Sequence, residues 1–154
     1  QRPDLVGVIA GGVAPDKQRY FESLQALCRE LGVRDHVVFA GSQTRMPELY
    51  ALADVVVNAS LKMGNVGRTV AEALAMNTPV LATTLPGLRN LVQDGLNGFI
   101  IRTQDPEDLA RRLLQALDLP REGIRATIPP EYTLDCMVEQ TLAVYREVTA
   151  AAGD

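Results

Sequence analysis

Tryptophan is absent from this 154-residue chain, histidine occurs once and cysteine only twice. Cys28 and Cys136 lie far apart, each among apolar residues at helical spacing. No C-x-x-C pair or Cys/His ligand spacing is present, so a zinc site or redox motif has no support. The two cysteines read as small buried hydrophobes of a reducing compartment. The single histidine, His36, opens an apolar run and reads as a strand-edge residue, which leaves no base for a Ser-His-Asp triad. No apolar run reaches the roughly 18 residues that a membrane-spanning helix needs. Basic residues are in deficit: the net charge is −4, with a pI of about 5.0. That balance argues against nucleic acid or an anionic membrane as the main partner. No signal peptide is recognisable, and the chain starts at Gln1 without a Met, so it reads as a piece of something longer.

What is present is ordinary for a globular protein: 47% hydrophobic and 22% charged residues. The length suits one domain with a sizeable core. Residues 4–10 (DLVGVIA) are a short apolar run closed by Gly11-Gly12, expected to be a buried strand and turn. Phe21, Leu24, Leu27/Cys28 and Leu31 form a helical stripe over 16–31, ended by Gly32. Residues 36–40 (HVVFA) predict a second strand, closed by Gly41-Ser42. A short helix over 46–53 is expected to bury Met46, Leu49 and Leu52/Ala53, with Pro47 in its first turn. The continuous run at 54–58 (DVVVN) predicts a strand covered on both faces. A helix over 68–77, a buried strand over 79–83 and a short helix over 88–93 follow. Asp94-Gly95 and Asn97-Gly98 read as turns before a final strand at 98–101. Asp105 caps a helix with Pro106 at its first position and Leu109, Leu113 and Ala116/Leu117 inward. Residues 119–133 hold three prolines and read as irregular. The helix over 134–149 carries an apolar stripe expected to pack back on the domain.

Short continuous strands alternating with amphipathic helices predict an α/β fold. Its Rossmann-like, doubly wound parallel sheet carries helices on both faces. Ligands of such sheets bind beyond the carboxyl ends of the strands. The loops at 11–17, 41–45, 59–69 and 83–89 are therefore the ones to watch. Among them, SLKMGNVGRTVAEALAMNTP (60–79) carries the most chemistry. A strand ends at Asn58, a glycine-bearing loop follows, and a helix starts near Gly67, Arg68 and Thr69. Free amides and the helix dipole make such a start an anion site. Gly64 and Gly67 allow close approach of a ligand to the backbone. Arg68 adds a charged donor and Thr69 a hydroxyl, a set that suits a diphosphate. Glycines of this kind also serve turn geometry alone. The spacing, and the lack of a Lys, exclude a P-loop. Glu72, one helical turn beyond Thr69, suits a ribose diol, because a carboxylate accepts several hydroxyl hydrogens. It equally fits an acid favoured near a helix N-terminus. A response-regulator reading fails: Asp54 sits at the amino end of its strand, and no acidic pair follows 4–10.

The ordered pieces resemble a known family. They are Gly11-Gly12 after a strand, LGVRDHVVFAG (31–41), MPELYALADVVVNAS (46–60), GRTVAEALAMNTPVLAT (67–83), DGLNGFII (94–101) and DPEDLARRLLQAL (105–117). Together they look like the C-terminal, donor-binding domain of GT-B fold retaining glycosyltransferases, of the group 1 or family 4 type. Sucrose synthases and bacterial mannosyl- and glucosyltransferases of envelope polysaccharide synthesis belong to it. The tail YTLDCMVEQTLAVYREV (132–148) is similar to that family's closing helix, so the resemblance covers nearly the whole chain. It implies a metal-independent and cofactor-free sugar transfer from a nucleoside-diphosphate sugar with retention, in envelope polysaccharide or glycolipid synthesis. By position, Glu72 would bind the ribose. Gly64, Asn65, Gly67, Arg68 and Thr69 would hold the diphosphate and donor sugar, and Gly41 and Ser42 would lie near the base. The resemblance further implies a first strand with a diphosphate-clamping Arg and Lys, and an N-terminal acceptor domain, all before Gln1. The chain alone is then expected not to turn over. Nucleotide sugar and that absent domain are the implied partners. The implied setting is the cytoplasm, with room for peripheral contact at the inner membrane face.

The chain departs from the family at three places. The partner acid of Glu72 should fall at position 64, where this chain has Gly64, and no acid occurs from 55 to 71. The aromatic usual before Gly67 is Val66. The Gly-Gly-x-x-Glu pattern reads Pro86-Gly87-Leu88-Arg89-Asn90, without its acid. These losses keep open a degenerate domain of the same fold acting as a scaffold or interaction module. A non-hydrolysing nucleotide-sugar epimerase shares the fold, but needs acids and a histidine that find no place here.

Overall fold

Strands and helices alternate along nearly the whole chain in the computed structural model, which describes residues 2, 4–61, 66–88 and 90–151. The order is β1 (Gly7–Ala10), α1 (Gln18–Glu30), β2 (Val37–Gly41), α2 (Met46–Leu52), β3 (Val56–Asn58), α3 (Val66–Ala75), β4 (Val80–Thr83), β5 (Gly98–Ile101), α4 (Pro106–Leu117) and α5 (Leu134–Ala151). Short 3-10 turns lie at Pro15–Lys17, Arg34–His36, Ile124–Thr127 and Pro130–Tyr132. Every strand pairing among the described residues is parallel, with α1 crossing from β1 to β2 and α3 from β3 to β4, so the class is α/β. The residues group into two compact units, Gln1–Met46 and Pro47–Asp154.

In the first unit β1 pairs with β2, with a register irregularity between Ile9 and Ala10. Phe21 of α1 meets Phe39 of β2 edge to face at 5.2 Å, the geometry favoured by aromatic quadrupoles. Gly32 ends α1 as the sequence suggests. Its φ is +68°, Val33 N–H returns to the Cys28 carbonyl and Gly32 N–H to that of Arg29. Those two bonds are the Schellman closure, which a left-handed glycine permits. Burial departs from expectation, because Val8 and Ile9 are about half exposed. A two-stranded sheet has too few neighbours to cover both of its faces. His36 belongs to the 3-10 turn before β2, one residue short of the expected strand. The cysteines, free thiols, are half-buried rather than buried.

In the second unit β4 lies between β3 and β5. All four β4 residues are buried, as a central parallel strand requires. Leu81, Phe99, Ile101 and Ala116 form one buried cluster of the core, with Leu109, Leu113, Leu119 and Val55 packed around it. The cap of α4 is as predicted: Asp105 Oδ1 accepts from Asp108 N–H at 2.9 Å. Several expectations change here. Met46, Leu49 and Ala53 are half-buried as expected, but Leu52 is exposed and Tyr50 is the buried residue of α2, so the inward face is centred on Tyr50. Val57 of β3 is 43% exposed, so the face of the strand that it points to is not fully covered. The region expected as a helix over 88–93 is a run of turns in its described residues, closed by Leu91 and Val92 N–H groups on the Leu88 carbonyl. Asn97-Gly98 ends a turn as expected: Asn97 is its buried last residue and Gly98 opens β5. The apolar stripe of α5 stays exposed at Leu134, Met137, Leu142, Tyr145 and Val148.

Candidate functional site

In the first unit the loops after β1 and β2 are neighbours. Gly11 N–H donates to the Gly41 carbonyl at 2.8 Å, and a Cβ placed on Gly12 would touch Ser42. Gly11 and Gly41 have φ of +156° and +65°, and Gly41 thus holds a left-handed turn that glycine tolerates. Beyond these strand ends lies a pocket of about 380 Å³ lined by Gly11, Gly12, Lys17, Tyr20, Phe39 and Gly41. Gly41 lines this pocket, and Ser42 follows it in the chain. The aromatic wall from Tyr20 and Phe39 and the cation of Lys17 were not singled out in the sequence.

In the second unit the carboxyl ends of β3 and β4 are tied together. Thr83 Oγ1 donates to the Ser60 carbonyl at 2.6 Å, and Ser60 N–H donates to Asn58 Oδ1 at 3.3 Å. These bonds fix where the chain leaves β3 for α3. Gly64 and Asn65 lie outside the described residues. Gly67 and Thr69, half-buried, and Arg68, exposed, occupy the first turn of α3. First-turn amides, which have no acceptor within their own helix, and the helix dipole give such a turn a partial positive charge. The helix buries Val70, Ala73 and Leu74 on its other side, and this apolar face holds the first turn in place. A Cβ on Gly67 would meet nothing within 4 Å, so packing does not explain the glycine.

Glu72 is exposed on α3, with one bond aimed at it: Tyr50 Oη donates to Glu72 Oε2 at 2.9 Å. Tyr50 is only 6% exposed, and its carbonyl accepts from buried Thr78 Oγ1 at 2.7 Å. Thr78 in turn accepts from Arg121 Nη2 at 3.0 Å. Burial first, and then the Glu72 carboxylate, push the Tyr50 phenol up to about 12, while a side-chain hydrogen bond with Thr69 acts the other way. Tyr50 therefore remains a neutral donor at any ordinary pH. Tyr50 is not among the residues that the sequence singles out. The available signal was a tyrosine inside an amphipathic helix, whose hydroxyl needs a partner once buried.

Among the described residues, no three His, Cys, Asp or Glu side chains gather as a metal ion would need. No helix of the described residues is long and apolar enough to cross a membrane.

Residues 1–128 match the family model for glycosyl transferases group 1. A D-inositol 3-phosphate glycosyltransferase of Thermomonospora curvata is 36% identical over 151 residues, covering 94% of this chain and 35% of that protein. The putative glycosyltransferase EpsD of Bacillus subtilis is 37% identical over 118 residues, 77% of this chain and 29% of that protein. This chain thus spans about a third of the length of these curated relatives. Among solved structures, Anabaena Alr3699/HepE in complex with UDP and glucose aligns at a TM-score of 0.84. It shares 22% identity, over 94% of this chain and 41% of that one. The sucrose-phosphate synthase of Thermosynechococcus elongatus aligns at 0.79 with 24% identity, over 94% and 38%. These likenesses establish a fold shared with GT-B glycosyltransferases, and the family match establishes descent. The chain belongs to the group 1 glycosyltransferases.

Proposed function

We propose that this chain forms the donor-binding part of a retaining glycosyltransferase that uses a nucleoside-diphosphate sugar. One observation carries the reading: the first turn of α3, the next element after the parallel strand β3, holds Gly67, Arg68 and Thr69, with Glu72 one turn further on. Phosphate oxygens would accept from the α3 amides and Arg68. The same groups would stabilise the charge of the departing nucleoside diphosphate, as preorganised dipoles do without a metal or cofactor. Glu72 would accept from the ribose hydroxyls. Gly41 and Ser42 would lie near the base, as the family resemblance implies. Binding of UDP and glucose by a solved structure of the same fold supports the ligand class. An envelope glycan or glycolipid acceptor met at the cytoplasmic membrane face completes the reading.

The test is calorimetric titration of UDP and of GDP into the longest form of the polypeptide that carries this chain. Saturable binding of one of them is expected. Absence of saturable binding for both overturns the reading.

A second reading, a degenerate scaffold, is favoured by one sequence observation: Gly64 and Asn90 stand where acids are usual. Gly64→Glu separates the two. A higher transfer rate in the variant favours decay, whereas a large loss means that the glycine serves the donor.

A further inference from the structure

We propose that Tyr50 is the positioning residue of the Glu72 carboxylate, fixing one of its oxygens so that the other is presented to the ribose. The inference rests on Glu72 being the ribose acceptor. A glutamate at an exposed helical position samples several rotamers, and ordering it on ligand binding costs affinity. Here one oxygen, Oε2, is already engaged by Tyr50 Oη. The donor is itself immobile. Its ring is buried, and the carbonyl of the same residue is held by Thr78, which Arg121 holds in turn. Arg121 also donates to the carbonyls of Asn77 and Ala51, which locks the end of α2 and the turn after α3 together. The chain Arg121, Thr78, Tyr50, Glu72 thus runs from the fixed frame of the unit to its exposed carboxylate.

The bond also has a chemical consequence. A carboxylate offers about four lone-pair sites on two oxygens. Tyr50 occupies one on Oε2 and leaves Oε1 whole, enough for two hydroxyl hydrogens of one diol. Because Tyr50 donates as a neutral phenol, it leaves the negative charge of Glu72 in place.

The experiment measures affinity for a nucleoside diphosphate and for its 2′,3′-dideoxy analogue, using whichever of UDP and GDP binds. The wild type, Tyr50→Phe and Glu72→Gln are compared. Tyr50→Phe is expected to weaken the ribose form about three- to tenfold, the size of one lost hydrogen bond. It should leave the dideoxy form unchanged, so that the ribose preference shrinks. Equal weakening of both ligands would mean that Tyr50 only supports the fold, and would overturn the proposal, as would no change in either. If Glu72→Gln keeps the full ribose preference, the ribose reading itself fails. If Glu72→Gln loses the preference and Tyr50→Phe keeps it, the positioning role alone fails.

Discussion

Tyr50 Oη donates a 2.9 Å hydrogen bond to Glu72 Oε2 across a sequence separation of 22 residues. The bond joins the buried side of α2 to the exposed side of α3. It links the part of the unit that holds the fold to the part that carries the candidate ligand chemistry.

This pair makes stability depend on alkaline pH. The Tyr50 phenol stands at about 12 in the folded chain against an ordinary 10.0, through burial and the nearby carboxylate. A raised acid holds its proton more tightly when folded. Its stabilising contribution is therefore complete below about pH 10 and is lost as the pH rises towards 12. Urea midpoints from pH 9 upward should fall faster for the wild type than for Tyr50→Phe. A gap between the two proteins that stays constant over that range would refute the argument.

Asp108 makes the opposite prediction in acid. It is 4% exposed, and its Oδ2 accepts from Arg102 N–H at 2.8 Å, with Arg111 and Arg102 as ion-pair partners. The Arg102 backbone bond is the main cause holding its carboxyl below the ordinary 3.8, and the charges of Arg111 and Arg102 add to it. A depressed carboxylate contributes its stability above the unfolded value and loses it as the pH falls through that range. Asp108→Asn should be less stable than the wild type at pH 7, and the difference should be smaller at pH 3. Urea midpoints at the two pH values decide it.

Local chemistry explains which features were legible in the sequence. Gly32, Asp105 and the run at 98–101 act on their own neighbours, and each appears where the sequence put it. The helix start at Gly67, Arg68 and Thr69 is local in the same sense. Phase and cover were not legible. Seven residues of α2 contain too few turns to fix which face is inward, so Leu52 was favoured over Tyr50. A continuous run such as 54–58 fits a fully buried strand, but burial depends on neighbours in space, and Val57 remains partly open. The stripe of α5 announces an apolar face without saying what lies against it. The partner of Glu72 escaped for the same reason, since a contact between α2 and α3 has no signature in either segment.

Gly98 tests the packing of the sheet. It is paired with Val80, and a Cβ there would overlap the Val80 carbonyl and come within 2.9 Å of its Cγ2. The carbonyl is backbone in the buried central strand and cannot turn away. Gly98→Ala should therefore destabilise by on the order of 3 kcal/mol, the upper part of the overpacking range. Denaturant unfolding measures it, and a cost below about 1 kcal/mol would show that the strands can separate more easily than close packing allows.

Gly67 should respond in the opposite way, and the contrast bears on function. It lies in the first turn of α3 with open space where a Cβ would go, and its φ is not among the positive ones. Folding therefore gives no reason to exclude alanine, which is favoured in helix interiors by about 1 kcal/mol over glycine. Gly67→Ala should leave the unfolding midpoint unchanged or raise it. A diphosphate approaching the amides of that turn, however, would meet the new methyl group at close range. Affinity for UDP or GDP should fall by about tenfold or more, equivalent to about 1.4 kcal/mol. Calorimetric titration and thermal unfolding of the same preparation separate the two effects. Unchanged affinity with unchanged stability would mean that no ligand comes near the first turn of α3, and would remove the main support for a donor site there.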